Sequence, residues 1–545
     1  MQQVILLGFL TILFSLSSLG QLLVDKNNFT LKDSLRGGLR PERTCYDVLH
    51  YDLSVSVFPS EKFIIGNNII TFKAVEDFNR LQLDLFENLM IDSIIYEENT
   101  VNFERIYDAV FIDFCDKILI GDTAKINVFY KGHPIVAKNA PWDGGFVFSK
   151  DNNDNDWIGV AVQGDGASLW YPNKDHLSDE PNLGADIRIS TPKHLMNVSN
   201  GRFIGKQTIG EDQIEWHWRV NSPINNYNIT LNIGDYVHFS DTFQHLSLDY
   251  YVLRDNLERA KKHFEQVPSM LACFHEKLGY YPFPKDGYKL IETPYLGMEH
   301  QSAIAYGNNY KQGYLGTDLS SSGFGLHWDF IIVHESGHEW FGNSISAGDI
   351  ADLWIHESFT TYTEAIYVEC TKGKKAGQTY LNGLRQHIKN DRPMLGSYDV
   401  NHTGSGDIYY KGANMLGTIR NVINDDELWW KTLLDFTETF KHKITNTVEV
   451  IDFFETAFPE LMLPTIFYHY LTELHPPRIE IKRSGLGYSA RWVDVHPGFE
   501  MPIELIFKNK NFRVSLDTGW KKLPFKSLRN RPVEMNEELF YVERK

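Results

Sequence analysis

The stretch that decides the fold is Val333-His334-Glu335-Ser336-Gly337-His338-Glu339-Trp340-Phe341, which contains the pattern H-E-x-x-H. On an α-helix, residues four positions apart lie on one face, about 6 Å apart along the axis. His334 and His338 can therefore bind a single Zn²⁺ ion together. Glu335 lies about 100° around the helix from His334, where it misses the metal but can reach a water molecule beside it. The alternative interpretation is an ordinary helix with polar residues on each turn.

A third metal ligand is predicted a short distance downstream. A peptidase zinc needs three protein ligands and an open fourth position for water. Glu357 follows His338 by nineteen residues and lies in Trp354-Ile355-His356-Glu357-Ser358-Phe359-Thr360, which has the pattern of a new helix. A turn containing Gly348 and Asp349 separates the two segments, so the second helix can return its carboxylate to the metal. We therefore predict that His334, His338 and Glu357 bind one Zn²⁺.

The combined spacing H-E-x-x-H-x18-E resembles that of the glutamate-ligand zincins, and specifically the aminopeptidase N family of zinc metallopeptidases, including its leukotriene hydrolase branch. Two further stretches resemble motifs of that family. Gly297-Met298-Glu299-His300 is similar to its G-A-M-E-N strand, and Tyr409-Tyr410-Lys411-Gly412-Ala413 to its Y-x-K-G-A. The three motifs occur in the family's order and at similar separations. The resemblance extends over most of the chain after residue 44.

The resemblance implies roles for residues outside the metal site. Glu299 would recognise the free amino group of a substrate, with Gly297 and Met298 beside it in the substrate-binding strand. Tyr409 would stabilise the transition state through its hydroxyl. Tyr410 is its rival, since adjacent tyrosines are easily confused by register.

A fourth segment, Gln163-Gly164-Asp165-Gly166-Ala167, resembles the part of the family's β domain that reaches into the active site. Gln163 is the candidate for substrate binding there, and a polar residue in a glycine-rich turn is the alternative. The chain departs from the family at three places: His300 stands for the usual Asn, Gly297 for Ala, and Leu296 for the first Gly. These departures alter the substrate site but leave the predicted metal ligands intact.

The hydrophobic pattern predicts a multidomain α+β protein. Residues 44–240 alternate apolar and polar side chains, as in Tyr51, Leu53, Val55 and Val57, and predict an N-terminal antiparallel β domain. Residues 241–472 are mostly helical in pattern and fit the thermolysin-like, α-rich zincin catalytic domain that the resemblance implies. Residues 473–545 return to β alternation and predict a small C-terminal β-sandwich. Larger relatives carry a further large helical domain, which we do not expect in this sequence.

The first twenty residues have the pattern of a secretory signal peptide. An apolar run from Val4 to Phe14 is followed by Ser18-Leu19-Gly20, which offers small residues for cleavage. The run lacks a preceding Lys or Arg, and an uncleaved N-terminal anchor is the alternative. No other stretch has the eighteen or more apolar residues of a membrane span. We therefore expect a secreted or periplasmic protein with no stable membrane span once the signal is cleaved.

Composition excludes some classes of function. The 545 residues are 42% hydrophobic and 23% charged, as in globular proteins, and the net charge of −18 argues against a nucleic-acid partner. Four cysteines, Cys45, Cys115, Cys273 and Cys370, form no C-x-x-C pair, so sulfur ligation of a metal is not expected. One or two disulfides and buried free thiols are equally good interpretations. Nothing in the sequence indicates an oligomeric state.

These residues predict a secreted zinc aminopeptidase acting on peptides with a free N-terminus. A zinc-activated water would attack the first peptide bond, with Glu335 as general base. Three alternatives stay open: a zinc endopeptidase with the same metal ligands, a non-catalytic binding protein on the same fold, and the epoxide-hydrolase activity of one family branch. His356 and Glu364 lie near the metal segment in sequence, and either could orient a metal ligand without binding the metal itself. Glu364 lies seven residues beyond Glu357, two helical turns along the same face. Such residues are more often structural or solvated, so we leave both out of the predicted site.

Overall fold

The computed structural model describes residues 29–162, 164–526 and 531–545. The predicted signal peptide, residues 1–20, and the substrate-binding candidate Gln163 therefore lie outside the described residues. The described chain begins with two short helices, Leu31–Gly37 and Pro41–Thr44. The first of them is capped by Thr30, whose hydroxyl accepts a hydrogen bond from the backbone amide of Asp33.

A β-rich region follows these helices, as the sequence predicts. Its largest sheet has eight strands, in the spatial order Arg202–Ile209, Gln213–Val220, Ala185–Pro192, Tyr46–Phe58, Phe63–Ala74, Thr123–Gly132, Leu89–Tyr96 and Asn99–Thr100. Along Tyr46–Phe58 the apolar side chains alternate toward the core, so Leu53 and Val57 are fully buried.

The prediction of an antiparallel domain is wrong for one strand pair. Tyr46–Phe58 and Ala185–Pro192 run parallel, with Leu53 paired to Ile187 and Val55 to Ile189. Parallel neighbours need a long connection, and more than a hundred residues separate these two strands in the chain. Alternation within each strand is the same in both pairings, so it cannot predict which strands become neighbours.

Two smaller sheets complete the β-rich region. One contains Phe78–Asp84, Ala109–Ile118 and Asn102–Ile106. The other contains Met196–Val198, Asn232–Gly234, Asp156–Ala161 and Gly145–Lys150.

A five-stranded sheet joins the β-rich region to the helical region. Its order is Tyr236–Phe243, Leu246–Leu253, Tyr288–Glu292, Ile304–Tyr306 and Gly297–Met298. We call it the central sheet. Leu290 and Ile304 are buried in the core of the helical region, whereas Ile291 and Ala305 are buried in the core of the β-rich region. The predicted boundary at residue 240 falls inside the first strand of this sheet.

The helical region contains the elements that carry the predicted site. Phe330–Gly337 is the first of these, and all eight of its residues are buried. The long helix Trp354–Lys372, here called the glutamate helix, is buried from its first residue to Val368. The other helices are Leu257–His263, Gln266–Leu278, Lys374–Gly383, Tyr410–Ile423, Asp426–Thr439, Thr447–Ala457 and Leu463–Thr472. A short parallel pair, Ile345–Ala347 with Lys443–Thr445, lies among them.

The chain returns to β structure after the last helix. One sheet contains Lys521–Lys526, Gly487–Val493, Arg478–Ser484 and Glu543–Arg544. A second contains Lys510–Leu516, Met501–Phe507 and Glu534–Met535. Their buried residues, such as Trp492 and Leu505, belong to the same core as the helical region.

One disulfide links two helices of the helical region. Cys273 in Gln266–Leu278 is bonded to Cys370 near the end of the glutamate helix, with their Cα atoms 6.0 Å apart. Cys45 is a buried free thiol and Cys115 an exposed one. Within the described residues, no helix combines the length and the apolar character needed to cross a membrane.

Candidate metal centre and active-site cleft

The helix Phe330–Gly337 places the first two predicted metal ligands. Asp329 caps its N-terminus by accepting hydrogen bonds from the backbone amides of Ile331 and Ile332. His334 lies inside the helix, and His338 directly follows its last residue, with its amide still bonded to the His334 carbonyl at 3.3 Å. The apolar side chains before His334 are buried, so the helix is fixed on all sides and its histidines hold one orientation.

The structure brings the three predicted ligands together. One donor atom from each of His334, His338 and Glu357 lies within 4.8 Å of the others, and all three residues are buried. The Nε2 atoms of His334 and His338 are 3.7 Å and 3.4 Å from Oε2 of Glu357. Glu357 is in the first turn of the glutamate helix, which packs across the end of Phe330–Gly337. Two imidazoles and a carboxylate converging on one point form a donor set suited to Zn²⁺.

Each histidine is held through its other ring nitrogen. Nδ1 of His334 lies 2.7 Å from Oε1 of Glu364. Nδ1 of His338 lies 2.9 Å from the carbonyl oxygen of Phe341. Because both partners are oxygen acceptors, Nδ1 carries the proton and the Nε2 lone pair is free to bind a metal. The protein thus fixes the tautomer that metal binding requires.

The prediction that Glu364 lies outside the site is wrong. Glu364 is fully buried, and its second oxygen accepts a hydrogen bond from the Tyr380 hydroxyl at 2.7 Å. It lies seven residues after Glu357, two turns along the same face of the glutamate helix, so it stands beside His334. The seven-residue spacing from Glu357 was the sequence signal for this role. Only the packing of the two helices shows that Glu364 contacts His334.

Glu335 lies in the same cleft as the three ligands. Burial raises the pKa of its carboxyl to about 7, so the group can both accept and release a proton near neutral pH. Gly297 packs directly against it, since a Cβ atom built on Gly297 would lie 2.7 Å from Oε1 of Glu335. The glycine that replaces the family's usual alanine therefore lies in contact with the predicted general base.

Glu299 lies where the cleft meets a second cavity. It lines the cleft together with Glu335 and His338, and it also lines an adjoining cavity with Tyr227 and His356. One carboxylate oxygen of Glu299 lies within 4.8 Å of donor atoms of both Glu335 and His338. Burial raises the pKa of Glu299, and a cation placed beside it would favour the ionised form. The position suits a group that binds an ammonium next to the metal centre.

Tyr409 is the tyrosine closer to the metal ligands. Its ring stacks on that of His334, with centroids 6.1 Å apart. Burial, reinforced by the charge of Glu357, raises the pKa of Tyr409, so its hydroxyl stays protonated and can donate a hydrogen bond. Tyr410 also lines the cleft, but its ring packs on His387 at 5.0 Å. The geometry therefore favours Tyr409 over Tyr410 as the donor.

Met298, predicted with its motif as a substrate-binding residue, has its side chain placed away from the cleft. Met298 does not line the cleft, and its side chain is buried in the core of the β-rich region. Successive residues of a strand point to opposite faces, so Gly297 and Glu299 face the cleft while Met298 faces away. The two described neighbours of Gln163, Val162 and Gly164, line the cavity beside Glu299.

Two other histidines, His356 and His300, lie near the site but are not among the metal donors. His356 accepts a hydrogen bond on Nε2 from the amide of Ala347 at 2.7 Å, and its ring stacks on Tyr227. His300 is fully buried and lies outside the cleft. Burial lowers the pKa of both histidines to about 3, so both are neutral. Neither belongs to the group of metal donors.

The site belongs to a recognisable class of metal centre, in which one helix carries two histidine donors and the next carries a glutamate donor. Comparisons with known proteins agree. Residues 262–468 match the model of the peptidase family M1 domain. The matched residues include all three metal-ligand candidates, His334, His338 and Glu357.

The relatives found by sequence are aminopeptidases. Human endoplasmic reticulum aminopeptidase 1 is 23% identical over 291 residues, which are 50% of this chain and 30% of the relative. Aminopeptidase N of Streptomyces lividans is 27% identical over 223 residues, which are 37% of this chain and 25% of the relative. The matches thus span less than a third of the length of these relatives.

Solved structures share the fold. An M1 zinc metallopeptidase from Deinococcus radiodurans aligns with a TM-score of 0.65 at 19% identity, covering 82% of this chain and 99% of that one. A mutant of the same enzyme bound to a Tyr-Ser-Ala substrate aligns with a TM-score of 0.64 at 18% identity, covering 79% and 94%. The β-rich region and the helical region are thus arranged as in a known two-domain architecture.

Proposed function

We propose that this chain is a zinc-dependent aminopeptidase, which removes the N-terminal residue from peptides that have a free α-amino group. One observation carries the proposal: a buried carboxylate, Glu299, lies beside the donor cluster of His334, His338 and Glu357. The cluster alone suits any zinc hydrolase, whereas the additional carboxylate provides a place for a substrate ammonium. The match of residues 262–468 to a peptidase domain supports the same class.

His334, His338 and Glu357 would hold one Zn²⁺ through two Nε2 atoms and one carboxylate oxygen. A bound Zn²⁺ would polarise the scissile carbonyl and lower the pKa of water, which is the chemistry that peptide hydrolysis needs. Glu364 and the Phe341 carbonyl keep the two imidazoles in the tautomer that binds a metal. The residues present therefore fit the metal.

Glu335 transfers protons during the reaction, and Tyr409 donates a hydrogen bond that stabilises the transition state. Glu335 accepts a proton from the attacking water and then gives it to the departing amine, so one carboxylate serves both steps. Tyr409 donates its hydroxyl proton in a hydrogen bond to the oxygen on which negative charge develops. Glu335 is buried and Tyr409 is partly buried, which limits competing water and strengthens these interactions.

Glu299 determines which bond is cleaved. A substrate ammonium beside this buried carboxylate forms a charge-assisted hydrogen bond, of about 1.5–3 kcal/mol. With its amine held there, the first peptide bond lies over the metal ligands, so cleavage follows the first residue. An endopeptidase would need room for several residues on both sides of the scissile bond, and Glu299 occupies that space on one side.

We further propose that the protein is exported. The pattern of residues 1–20 is that of a secretory signal peptide. The Cys273–Cys370 disulfide supports this, since disulfides persist mainly in secreted and periplasmic proteins. Mass spectrometry of the N-terminus of protein recovered from the medium or periplasm tests it. Protein kept in the cytosol with an intact N-terminus would contradict export.

The test of the proposed activity uses a panel of aminoacyl fluorogenic substrates with zinc-loaded protein, chelated protein and the Glu335→Gln variant. We expect hydrolysis by the zinc-loaded protein, its loss on chelation and its return with zinc. Glu335→Gln should bind zinc normally and lose activity, because an amide cannot act as a general base. A zinc-loaded wild-type protein without activity on any of these substrates would contradict the proposal.

A further inference from the structure

One tryptophan of this chain is placed unlike the others. Trp142 is 61% exposed and is the only exposed tryptophan in the part of the chain that the structure describes. Tryptophan has a large apolar surface, and its exposure to water forgoes the stabilisation that burial provides. Among the described residues, no other aromatic ring packs against the Trp142 ring. The position therefore needs an explanation other than folding stability.

The loop that carries Trp142 is held in place by hydrogen bonds. The Asp143 carboxylate accepts hydrogen bonds from the backbone amides of residues 138 and 139, at 2.7 Å and 2.6 Å. The backbone amide of Gly144 donates to Oδ2 of Asp165 at 2.6 Å. The hydrogen bonds of Asp143 thus close the loop on the C-terminal side of Trp142, and the hydrogen bond of Gly144 attaches the loop to the segment that contains Asp165. Trp142 is presented by an ordered loop.

Trp142 lines the cleft that contains the metal ligands. Glu335, Tyr314 and Phe330 line the same cleft. The adjoining cavity shares Glu299 with the cleft but is otherwise lined by different residues, and Trp142 is not among them. Trp142 comes from the β-rich region, so the cleft is bounded by both regions of the protein.

The direction of a bound peptide follows from the position of Glu299. The substrate amine lies at Glu299, and the adjoining cavity offers space for the first side chain. The remainder of the peptide must then occupy the cleft itself, whose lining includes the aromatic residues Trp142, Tyr314 and Phe330. The side chain of the second residue is the first group that can contact this aromatic lining, because it follows the scissile bond directly.

We propose that Trp142 is a specificity-determining residue, which packs against the side chain of the second residue of the peptide. The inference rests on the proposed aminopeptidase function and adds a preference for substrates with an aromatic or large aliphatic residue at position two. An indole face is well suited to such side chains, because it combines a large apolar area with few rotatable bonds. Small residues at position two would leave the indole exposed and gain no contact.

The test compares binding of two tripeptides, Ala-Phe-Ala and Ala-Gly-Ala, to zinc-loaded protein carrying Glu335→Gln, so that binding is measured without hydrolysis. Adding Trp142→Ala should raise the Kd of Ala-Phe-Ala about ten-fold, equivalent to about 1.4 kcal/mol. The Kd of Ala-Gly-Ala should change by less than about two-fold, because glycine makes no side-chain contact. Trp142→Phe should keep most of the preference for Ala-Phe-Ala.

The matched control is Tyr280→Ala. Tyr280 is also an exposed aromatic residue, at 66%, but it does not line the cleft. This variant should leave both dissociation constants unchanged. Equal Kd changes for the two peptides in Trp142→Ala, or no change for either, would overturn the role of Trp142. Failure of the proposed function is distinct, since it would appear as wild-type zinc-loaded protein that hydrolyses neither peptide.

Discussion

At the scale of single residues, the metal centre depends on side chains that do not themselves bind the metal. His334 is oriented by Glu364, which is oriented in turn by the Tyr380 hydroxyl. His338 is oriented by the Phe341 carbonyl and by Thr360, whose hydroxyl lies 3.1 Å from its Nδ1. A metal ligand that is already oriented loses little freedom on binding, so these contacts strengthen the site.

The chain of contacts through Glu364 makes a prediction about zinc affinity. Glu364→Ala should weaken zinc binding by about 10- to 100-fold, because His334 loses the acceptor that fixes its tautomer. Glu364→Gln should weaken zinc binding less than Glu364→Ala does, since an amide oxygen still accepts a hydrogen bond. Competition titration with a chromophoric chelator measures both affinities. Wild-type zinc affinity in Glu364→Ala would show that the contact is irrelevant to the metal.

The residues of the site differ in how far the sequence could predict them. His334, His338 and Glu357 could be predicted because their spacing is set by helix geometry. Glu364 could not be assigned, because a carboxylate two turns along a helix faces either a neighbour or solvent, and only the packing decides. Met298 was assigned with its motif, although strand alternation turns its side chain into the core.

At the scale of secondary-structure elements, close packing of two helices sets the metal geometry. Gly337 is the last residue of the helix Phe330–Gly337 and lies against the glutamate helix, where a Cβ atom would be 2.5 Å from the Thr363 hydroxyl oxygen. The absence of a side chain at Gly337 lets the helix bearing His334 and His338 approach the helix bearing Glu357. Three donor atoms can then converge within 4.8 Å.

This packing predicts the effect of enlarging Gly337. Gly337→Ala should destabilise the protein by about 1–3 kcal/mol through overpacking and should weaken zinc binding, because the two helices must separate. Adding Thr363→Ala removes the clashing oxygen and should recover part of both losses. Urea unfolding and zinc titration of the single and double variants measure the effects. A Gly337→Ala protein with wild-type stability and zinc affinity would contradict the argument.

The Cys273–Cys370 disulfide fixes the far end of the glutamate helix. Its two cysteines are 97 residues apart in sequence, so the bond restricts the unfolded chain considerably. Replacing both by serine should lower the free energy of unfolding by about 2–5 kcal/mol. The reductant dithiothreitol should lower the stability of the wild type and leave the double variant unchanged. Equal stability of the two oxidised proteins would mean that the bond does not form in solution.

Secondary-structure elements could be predicted where they depend on neighbouring residues in the sequence, and contacts between distant elements could not. The alternation around Leu53 predicts a strand, and the apolar run before His334 predicts a buried helix. The pairing of Cys273 with Cys370 could not be predicted, because it depends on how two distant helices pack. Nothing in the sequence assigns the strand Tyr236–Phe243 to the central sheet, whose other strands all follow the predicted boundary at residue 240.

At the scale of the whole molecule, the central sheet holds the two regions together. One face of this sheet packs on the core of the β-rich region, and the other face packs on the core of the helical region. The two regions that line the cleft therefore cannot move apart without exposing apolar surface to water. Lys289 lies at this junction. It is buried, donates to the Gly201 carbonyl of the β-rich region and approaches the Trp218 ring, with Nζ 5.6 Å from the centroid.

Lys289 predicts a pH dependence of stability. Burial lowers its pKa from 10.5 to about 7, although Asp249 and Asp286 act in the opposite direction. As pH falls below 10.5, the unfolded chain binds the proton first, so the contribution of Lys289 to stability falls between pH 10.5 and 7 and is constant below. Lys289→Met should therefore show a smaller increase in stability between pH 7 and 10 than the wild type. Urea unfolding across this range measures it, and parallel curves would contradict the assignment.

The arrangement of whole regions was only partly predictable. The succession of a β-rich and a helical region follows from the change in hydrophobic pattern between residues 44–240 and 241–472. The parallel neighbours Tyr46–Phe58 and Ala185–Pro192 could not be predicted, because strand alternation says nothing about partners. The contribution of Trp142 to the cleft was likewise hidden, since it depends on how the two regions meet.

The central claim is that the cleft recognises a free α-amino group beside a zinc site. The most direct test compares one peptide in two forms, free and N-acetylated, as substrates of the zinc-loaded protein. We predict release of the first residue from the free peptide and a rate lower by at least about 10²-fold for the acetylated one, because it lacks the charge that Glu299 binds and adds bulk there. Comparable cleavage of both forms, or internal cuts as the first products, would contradict the claim and indicate an endopeptidase.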